Sequence, residues 1–366
     1  TYGDCSADGS YSDLNKYWPR PAFARLPRKD PSMSEFIERI VNAYGPAGRE
    51  GQVRQLIETE IKPLGLETRT DVKGNLIARK PPAAASGKTH KIMFCAHMDE
   101  IGAIITHIDK KGFLRFTNIG GLFPDKILHQ KVMFENGHLG VIGVETKPQT
   151  PKPPNLENFF IDIGARDADD ARTRVRIGDI ATYYQQAQLI QNRFAAKALD
   201  DRIGCYCLIE VMKRLKNNRA DLYFVFSVQE EVGLRGARTG AFAIAPDYAI
   251  AVDVTATGDT PEAPTMEVRL GGGPAIKIKD AMFIAHPLVK DKLVEYAGRL
   301  NLPVQLEILE HGTTDAAVIQ LVGAGVLSGV VSIPTRYVHS ANELCDLDDV
   351  EGAVRLLTHV AENCLA

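Results

Sequence analysis

The chain has no apolar run that approaches the roughly 20 residues needed to cross a bilayer. Its amino end also lacks the charged and then apolar pattern of a signal peptide. The 43 Lys and Arg residues nearly balance the 46 Asp and Glu residues, so the formal net charge is only -3. Because no global field of one sign favours nucleic acid or an anionic membrane, we expect neither as a partner. These absences predict a soluble, cytoplasmic protein that recognises its partner locally.

Cysteine is scarce, with six thiols scattered through 366 residues and no CxxC pair. This scatter argues against a disulfide framework and against a structural zinc site built from cysteines. Most of the thiols are therefore expected to be reduced and buried.

Composition and hydrophobic periodicity divide the chain into three parts. Residues 1–31 lack apolar periodicity and are rich in Gly, Ser, Asp and Pro, which is typical of an N-terminal arm. Residues 32–101 and 189–366 carry helix and strand patterns in alternation and predict one discontinuous α/β domain. Residues 102–188 consist of short alternating segments separated by turn residues, which predicts an inserted β-rich domain. The predicted fold is thus a mixed sheet flanked by helices, with an inserted small β-barrel or sandwich.

The periodicity also places individual elements of the α/β part. The run KIMFCA at 91–96 predicts a buried strand. Further strands are predicted at 222–228, 248–252, 304–309 and 326–333, and helices at 201–216, 234–242, 286–300, 315–321 and 348–364.

Polar side chains follow several of these strands at the point where each one ends. The residues in question are His97 and Asp99, Glu230 and Glu231, Asp253, and His339 after a short loop, while Asp200 and Asp201 open the helix that follows Lys197. Ligands of open α/β sheets gather at the carboxyl ends of the strands, so these groups are expected to converge. Packed carboxylates repel one another unless cations neutralise them, and a pair of divalent metal ions would do so. Imidazole with carboxylate suits Zn²⁺, Co²⁺ or Mn²⁺ better than Mg²⁺.

Each residue also has a structural explanation when it is taken alone. His97 could be a buried histidine with satisfied nitrogens, and Asp200 or Asp201 could cap the following helix. Glu230 and Glu231 could form a solvated turn. The coincidence of all these groups at one sheet edge favours the metal site. Residue chemistry does not distinguish Asp200 from Asp201 as a bridge between two ions.

Six segments of the chain stand out around these residues: AHMDEIG at 96–102, KALDDRIG at 197–204, VQEEVGLRGA at 228–237, AVDVT at 251–255, TTDA at 313–316 and RYVHS at 336–340. Together they closely resemble the tetrahedral (TET) aminopeptidases, the family of glutamyl, leucyl and lysyl deblocking aminopeptidases. The resemblance runs from about residue 32 to the end of the chain, and residues 1–31 depart from it.

The resemblance implies a role for each site residue. His97, Asp200 and Asp253 would hold one metal ion, and Asp200, Glu231 and His339 would hold the other, so that Asp200 bridges the pair. Glu230 would be the general base, and Asp99 would orient the imidazole of His97. Two divalent ions per subunit are implied, with Zn²⁺ expected and Co²⁺ or Mn²⁺ as alternatives.

The resemblance further implies peptide substrates with free amino termini and a homo-oligomer, a dodecamer built from dimers and assembled through the inserted domain. Two other functions stay open at this point. One is a related metallohydrolase, such as a deacylase, a carboxypeptidase or an enzyme carrying the endoglucanase label. The other is a non-catalytic assembly protein that retains the fold.

Overall fold

A computed structural model describes residues 31–83, 89–147, 149 and 151–365 of the chain. The predicted arm at 1–31 lies outside these residues, apart from Pro31, at which the first helix begins. The helices are α1 (Pro31–Asn42), α2 (Gly51–Ile61), α3 (Pro124–Ile127), α4 (Ala168–Arg174), α5 (Leu199–Arg214), α6 (Arg235–Ile244), α7 (Pro287–Arg299), α8 (Ala316–Ile319) and α9 (Leu347–Asn363). None of the helices within the described ranges is both long and apolar enough to span a membrane.

The strands form two separate structures. They are β1 (Glu67–Thr70), β2 (Leu76–Lys80), β3 (Lys91–His97), β4 (Gly102–Ile108), β5 (Leu114–Ile119), β6 (Lys131–Phe134), β7 (Leu139–Val144), β8 (Phe159–Asp162), β9 (Ile180–Tyr183), β10 (Gln188–Ile190), β11 (Arg193–Ala196), β12 (Asp221–Ser227), β13 (Tyr248–Thr255), β14 (Ala275–Lys279), β15 (Gln305–Ile308), β16 (Leu327–Arg336) and β17 (Glu343–Asp346). Strands β4 to β9 close into a barrel, and the others make an eleven-stranded mixed sheet.

The main sheet has the order β1-β2-β12-β3-β13-β16-β17-β11-β10, with β14 paired to β16 and β15 paired to β14. Strands β12, β3, β13 and β16 are parallel neighbours at its centre. Their carboxyl ends therefore reach the same edge of the sheet, which is where open α/β sheets bind ligands.

Both faces of the central strands are covered. On β3, Ile92, Phe94 and Ala96 join the core that α1, α2, α5, α7 and α9 cover, whereas Met93 and Cys95 join the core under α6 and α8. Successive side chains of a strand point to opposite faces, so a strand buried on both sides reads as an unbroken apolar run. This accounts for KIMFCA, and it confirms the predicted mixed sheet with helices on both faces.

The barrel lies between β3 and β11 in the sequence and has the strand order β4-β5-β8-β7-β6-β9. Its interior is a separate core that includes Leu114, Phe134, Phe159 and Ile161. The predicted small β-rich unit is thus a closed barrel rather than a sandwich. The domain boundaries at 102 and 188 stay a prediction.

A buried ion-pair network joins the first helix to the site-bearing part of the sheet. Glu100, directly before the barrel, accepts hydrogen bonds from Lys197 Nζ at 2.7 and 2.9 Å and from Arg202 Nη2 at 3.3 Å. Arg202 also donates to the carbonyl oxygens of Ile40 and Gly45, which lie at and just beyond the end of α1. The network therefore fixes the start of α5 against α1 and the end of β3.

We predict that Glu100→Gln lowers the free energy of unfolding by about 3 to 5 kcal/mol, because it leaves two buried cations without their shared anion. Denaturant unfolding of both proteins at equal concentration measures the change. Glu295→Gln is the control, since Glu295 pairs with Lys292 and Arg299 on the surface and such pairs contribute about 0 to 1 kcal/mol. Equal losses in the two variants would contradict the prediction.

Candidate metal centre

Six predicted residues meet at the carboxyl edge of the parallel strands. They are His97 at the end of β3, Glu230 and Glu231 just after β12, Asp253 within β13, His339 after β16 and Asp200 at the start of α5. The sheet topology brings them together although they lie far apart in the sequence.

Two triads of metal-ligating groups share one carboxylate. The donor atoms of His97, Asp200 and Asp253 all lie within 4.8 Å of one another, and so do those of Asp200, Glu231 and His339. Asp200 Oδ1 lies 3.0 Å from His97 Nε2, while Asp200 Oδ2 lies 3.1 Å from His339 Nε2. Its two oxygens therefore face the two histidines, as a bridging carboxylate requires.

The neighbouring aspartate has a different set of contacts. Asp201 is fully buried and accepts backbone N–H groups from His97 at 3.1 Å and from Gly204 at 3.0 Å. Its carboxylate thus holds the end of β3 against the first turn of α5. Residue chemistry alone did not distinguish Asp200 from Asp201, whereas their contacts in the structure do.

Glu230 belongs to neither triad but lies beside the first and lines the cavity onto which both open. Its Oε2 is 3.9 Å from His97 Nε2, and its side chain is one-tenth exposed to the cavity. Glu231 turns instead toward His339, with Oε1 3.3 Å from Nε2. The two adjacent glutamates therefore point to different groups.

Asp99 contacts the site in two ways. Its main-chain carbonyl oxygen lies 3.1 Å from His97 Nδ1, so this nitrogen carries a proton and Nε2 is left to face the triads. Its carboxylate, 3.6 Å from the same nitrogen, accepts the backbone N–H groups of Glu230 and Glu231 at 2.9 and 3.1 Å. Asp99 therefore fixes the glutamate turn as well as the imidazole.

Burial and mutual repulsion shift the protonation of these groups. Burial, with Asp200 nearby, raises the pKa of Asp253 well above its usual range, and burial likewise raises the pKa of Glu230. Burial also opposes ionisation of Asp200, but hydrogen bonds from His339 and His97 outweigh it and lower its pKa. Burial disfavours the charged form of His339, yet Glu231 and Asp200 raise its pKa to about 11. The site thus has more carboxyl groups than its two imidazoles can keep ionised.

This imbalance and the kinds of donor atom fit a pair of divalent cations. Two imidazole nitrogens and several carboxylate oxygens are donors that Zn²⁺, Co²⁺ and Mn²⁺ accept. A buried carboxylate shared by two triads is the arrangement found between the ions of two-metal hydrolases.

A cavity of about 680 Å³ opens onto the two triads. Its walls are largely apolar and include Leu234, Val254, Leu309 and Val318. His311 is exposed and lines the same cavity.

The barrel contributes the opposite wall of this cavity. The ring of Phe123 stacks on His339 at 6.0 Å between centroids, and Lys126 donates to the Val338 carbonyl oxygen at 2.7 Å. Gly121 approaches the His339 ring so closely that a Cβ there would overlap it. Sequence reasoning missed these residues, since nothing in a loop pattern shows which distant strand it will cover.

A further buried acid was also missed. Glu343 accepts the backbone N–H groups of Asp200 at 3.0 Å and His339 at 2.7 Å. Burial and the charge of Asp200 raise the pKa of Glu343 to about 8. The available signal was an acid four residues after His339, in a segment that is otherwise mostly apolar or small.

Comparison with known proteins gives a consistent result. A family model described as M42 glutamyl aminopeptidase matches residues 74–356. A protein of Acetivibrio thermocellus is 47% identical over 329 residues, which cover 90% of this chain and 98% of that protein. The solved structure of an aminopeptidase from the archaeon Desulfurococcus kamchatkensis has a TM-score of 0.87 and 39% identity, and the match covers 91% of this chain and 95% of that one.

A third similar protein is the TET1 peptidase of Pyrococcus horikoshii, described as able to assemble into a tetrahedron or a large octahedral shell. It is 32% identical with a TM-score of 0.81, and the match covers 90% of this chain and 99% of that one. The resemblance inferred from the six sequence segments is confirmed. The chain belongs to the M42 glutamyl aminopeptidase family, the family of the TET aminopeptidases.

Proposed function

We propose that this chain is a metal-dependent aminopeptidase that releases single residues from peptides with free amino termini. The observation that carries the proposal is the pair of triads sharing Asp200, with Glu230 in neither but 3.9 Å from His97. Membership of an aminopeptidase family supports the reaction class.

In this proposal His97, Asp200 and Asp253 hold one divalent cation, and Asp200, Glu231 and His339 hold the other. When bound, such a pair lowers the pKa of a nucleophilic water and polarises the scissile carbonyl group. Zn²⁺ is the proposed occupant, with Co²⁺ or Mn²⁺ as alternatives.

Glu230 is the proposed general base. Its carboxylate takes the proton of the attacking water and later delivers it to the nitrogen of the leaving amine. A general base needs a fixed backbone and a free side chain. Asp99 fixes the backbone of Glu230 by accepting its N–H. The adjacent Glu231 is directed toward His339. Glu230 can therefore act as the base while Glu231 acts as a metal ligand.

Two of the competing functions, a glycosidase and a non-catalytic assembly protein, are less consistent with this geometry. A glycosidase normally places two carboxylates on either side of a sugar, whereas the acids here cluster around two histidines. A deacylase or carboxypeptidase would use the same centre on amino-blocked compounds. A non-catalytic assembly protein would not need Glu230 beside an intact pair of triads.

The same relatives support a homo-oligomer, and we propose a dodecamer built from dimers through the inserted barrel. The TET1 peptidase of Pyrococcus horikoshii supports this proposal through the tetrahedral assembly described for it. A cytoplasmic location stays a prediction.

We predict that the chelator-stripped protein is inactive and that Zn²⁺, Co²⁺ or Mn²⁺ restores cleavage of aminoacyl p-nitroanilides. Only compounds with a free amino group should be cleaved, because the reaction removes amino-terminal residues. Acetylated counterparts are the matched control. Release of acetate from the acetylated compounds would favour the deacylase, and metal uptake without any turnover would favour the assembly protein.

We predict that Glu230→Gln reduces kcat by about 10²- to 10⁴-fold, since the amide has the shape of the carboxylate but does not accept the proton. Metal uptake, followed by calorimetric titration of the stripped protein, should stay close to that of the unmodified chain. Glu295→Gln, on the surface, is the control for a lost carboxylate. A near-normal kcat in E230Q would refute the assigned role.

A further inference from the structure

Glu343 connects the backbones of two proposed metal ligands. It is the first residue of β17 and is only 2% exposed. Its Oε2 accepts the N–H of Asp200 at 3.0 Å, and its Oε1 accepts the N–H of His339 at 2.7 Å. Because both oxygens are engaged by main-chain groups and Glu343 is in neither triad, it is placed to hold ligands rather than to be one.

The two residues that it holds lie on irregular backbone. Asp200 has non-helical dihedral angles at the start of α5, and His339 has a φ of 62° in the connection between β16 and β17. A non-glycine residue with positive φ persists where surrounding contacts impose it. Neither ligand is fixed by a regular strand, in contrast to Asp253 within β13. Their relative position therefore depends on side-chain anchors.

Other buried acids hold the backbones of two further ligands, His97 and Glu231, and of the proposed base Glu230. Asp201 accepts the N–H of His97, and Asp99 accepts those of Glu230 and Glu231. Glu343 differs from both in holding the bridging aspartate together with the histidine of the second triad.

We propose that Glu343 is a positioning residue that sets the affinity of the second triad, Asp200, Glu231 and His339, for its cation. The proposal rests on the dinuclear centre of the proposed function. It requires both oxygens to be acceptors. A glutamine would keep one acceptor and turn an NH₂ group toward the other backbone N–H, so one of the two anchors would be lost.

The test is stepwise titration of the chelator-stripped, full-length protein with Co²⁺, followed by calorimetry and by the visible absorption of the bound ion. The unmodified chain should bind two equivalents. In Glu343→Gln one binding step should change little, while the other, assigned by the proposal to the second triad, should lose about 10- to 100-fold in affinity, the usual cost of removing a group that orients metal ligands. Glu343→Asp keeps the carboxylate on a shorter side chain. Its affinity for the cation of the second triad should lie between those of the unmodified chain and of E343Q.

Asp349→Asn is the matched control. Asp349 is also buried and accepts two backbone N–H groups, from Gly271 at 2.8 Å and Gly273 at 2.7 Å, but it is in neither triad and does not line the cavity. Its variant should bind both equivalents as the unmodified chain does.

Unchanged affinity at both steps in E343Q, or an equal loss at both, would overturn the proposal. If E343Q does not fold, E343D decides in the same way, because a loss confined to one of the two binding steps supports the proposal and an unchanged titration rejects it. Fewer than two equivalents bound by the unmodified chain would reject the dinuclear centre itself. Cleavage of the free-amine substrates tests the proposed reaction separately.

Discussion

The crowding of buried carboxylates at one edge of the sheet is the constraint on which the rest of the structure depends. Asp99, Asp200, Asp201, Asp253, Glu230, Glu231 and Glu343 are close to one another where water is largely excluded. At such distances like charges repel strongly, and an ionised acid is stable only with hydrogen bonds or a cation beside it. The fold supplies backbone N–H groups to four of these acids, and the two triads have the composition of cation ligands.

This constraint explains a division of labour among residues of the same type. Asp200 and Asp201 are adjacent, yet one faces two histidines and the other accepts backbone N–H groups. Glu230 and Glu231 are adjacent as well and turn to different groups. In each pair the two side chains contact different groups. Carboxylates of the same type can therefore serve as ligand, anchor or base.

The sequence was sufficient for the parts of the structure that local pattern controls. KIMFCA reads as a strand because β3 is buried on both faces, and the residues after each strand reach the site because parallel strands end at one edge. Pattern was insufficient where partners are distant. It did not separate Asp200 from Asp201, because both have the same chemistry and only the contacts of His97 and His339 differ. Glu343 and Glu100 were missed for the same reason, since an acid looks alike in sequence whether it is solvated or anchors a buried group.

The close approach of Gly121 to His339 links movement of the barrel to a proposed metal ligand. The barrel touches a proposed metal ligand directly, through a residue with no side chain to deform, and Phe123 packs on the same ring. A shift of the barrel against the sheet along this contact would have to move the imidazole. Any partner that binds the barrel and alters this contact would therefore be thermodynamically coupled to occupancy of the metal centre, and the coupling would act equally in both directions.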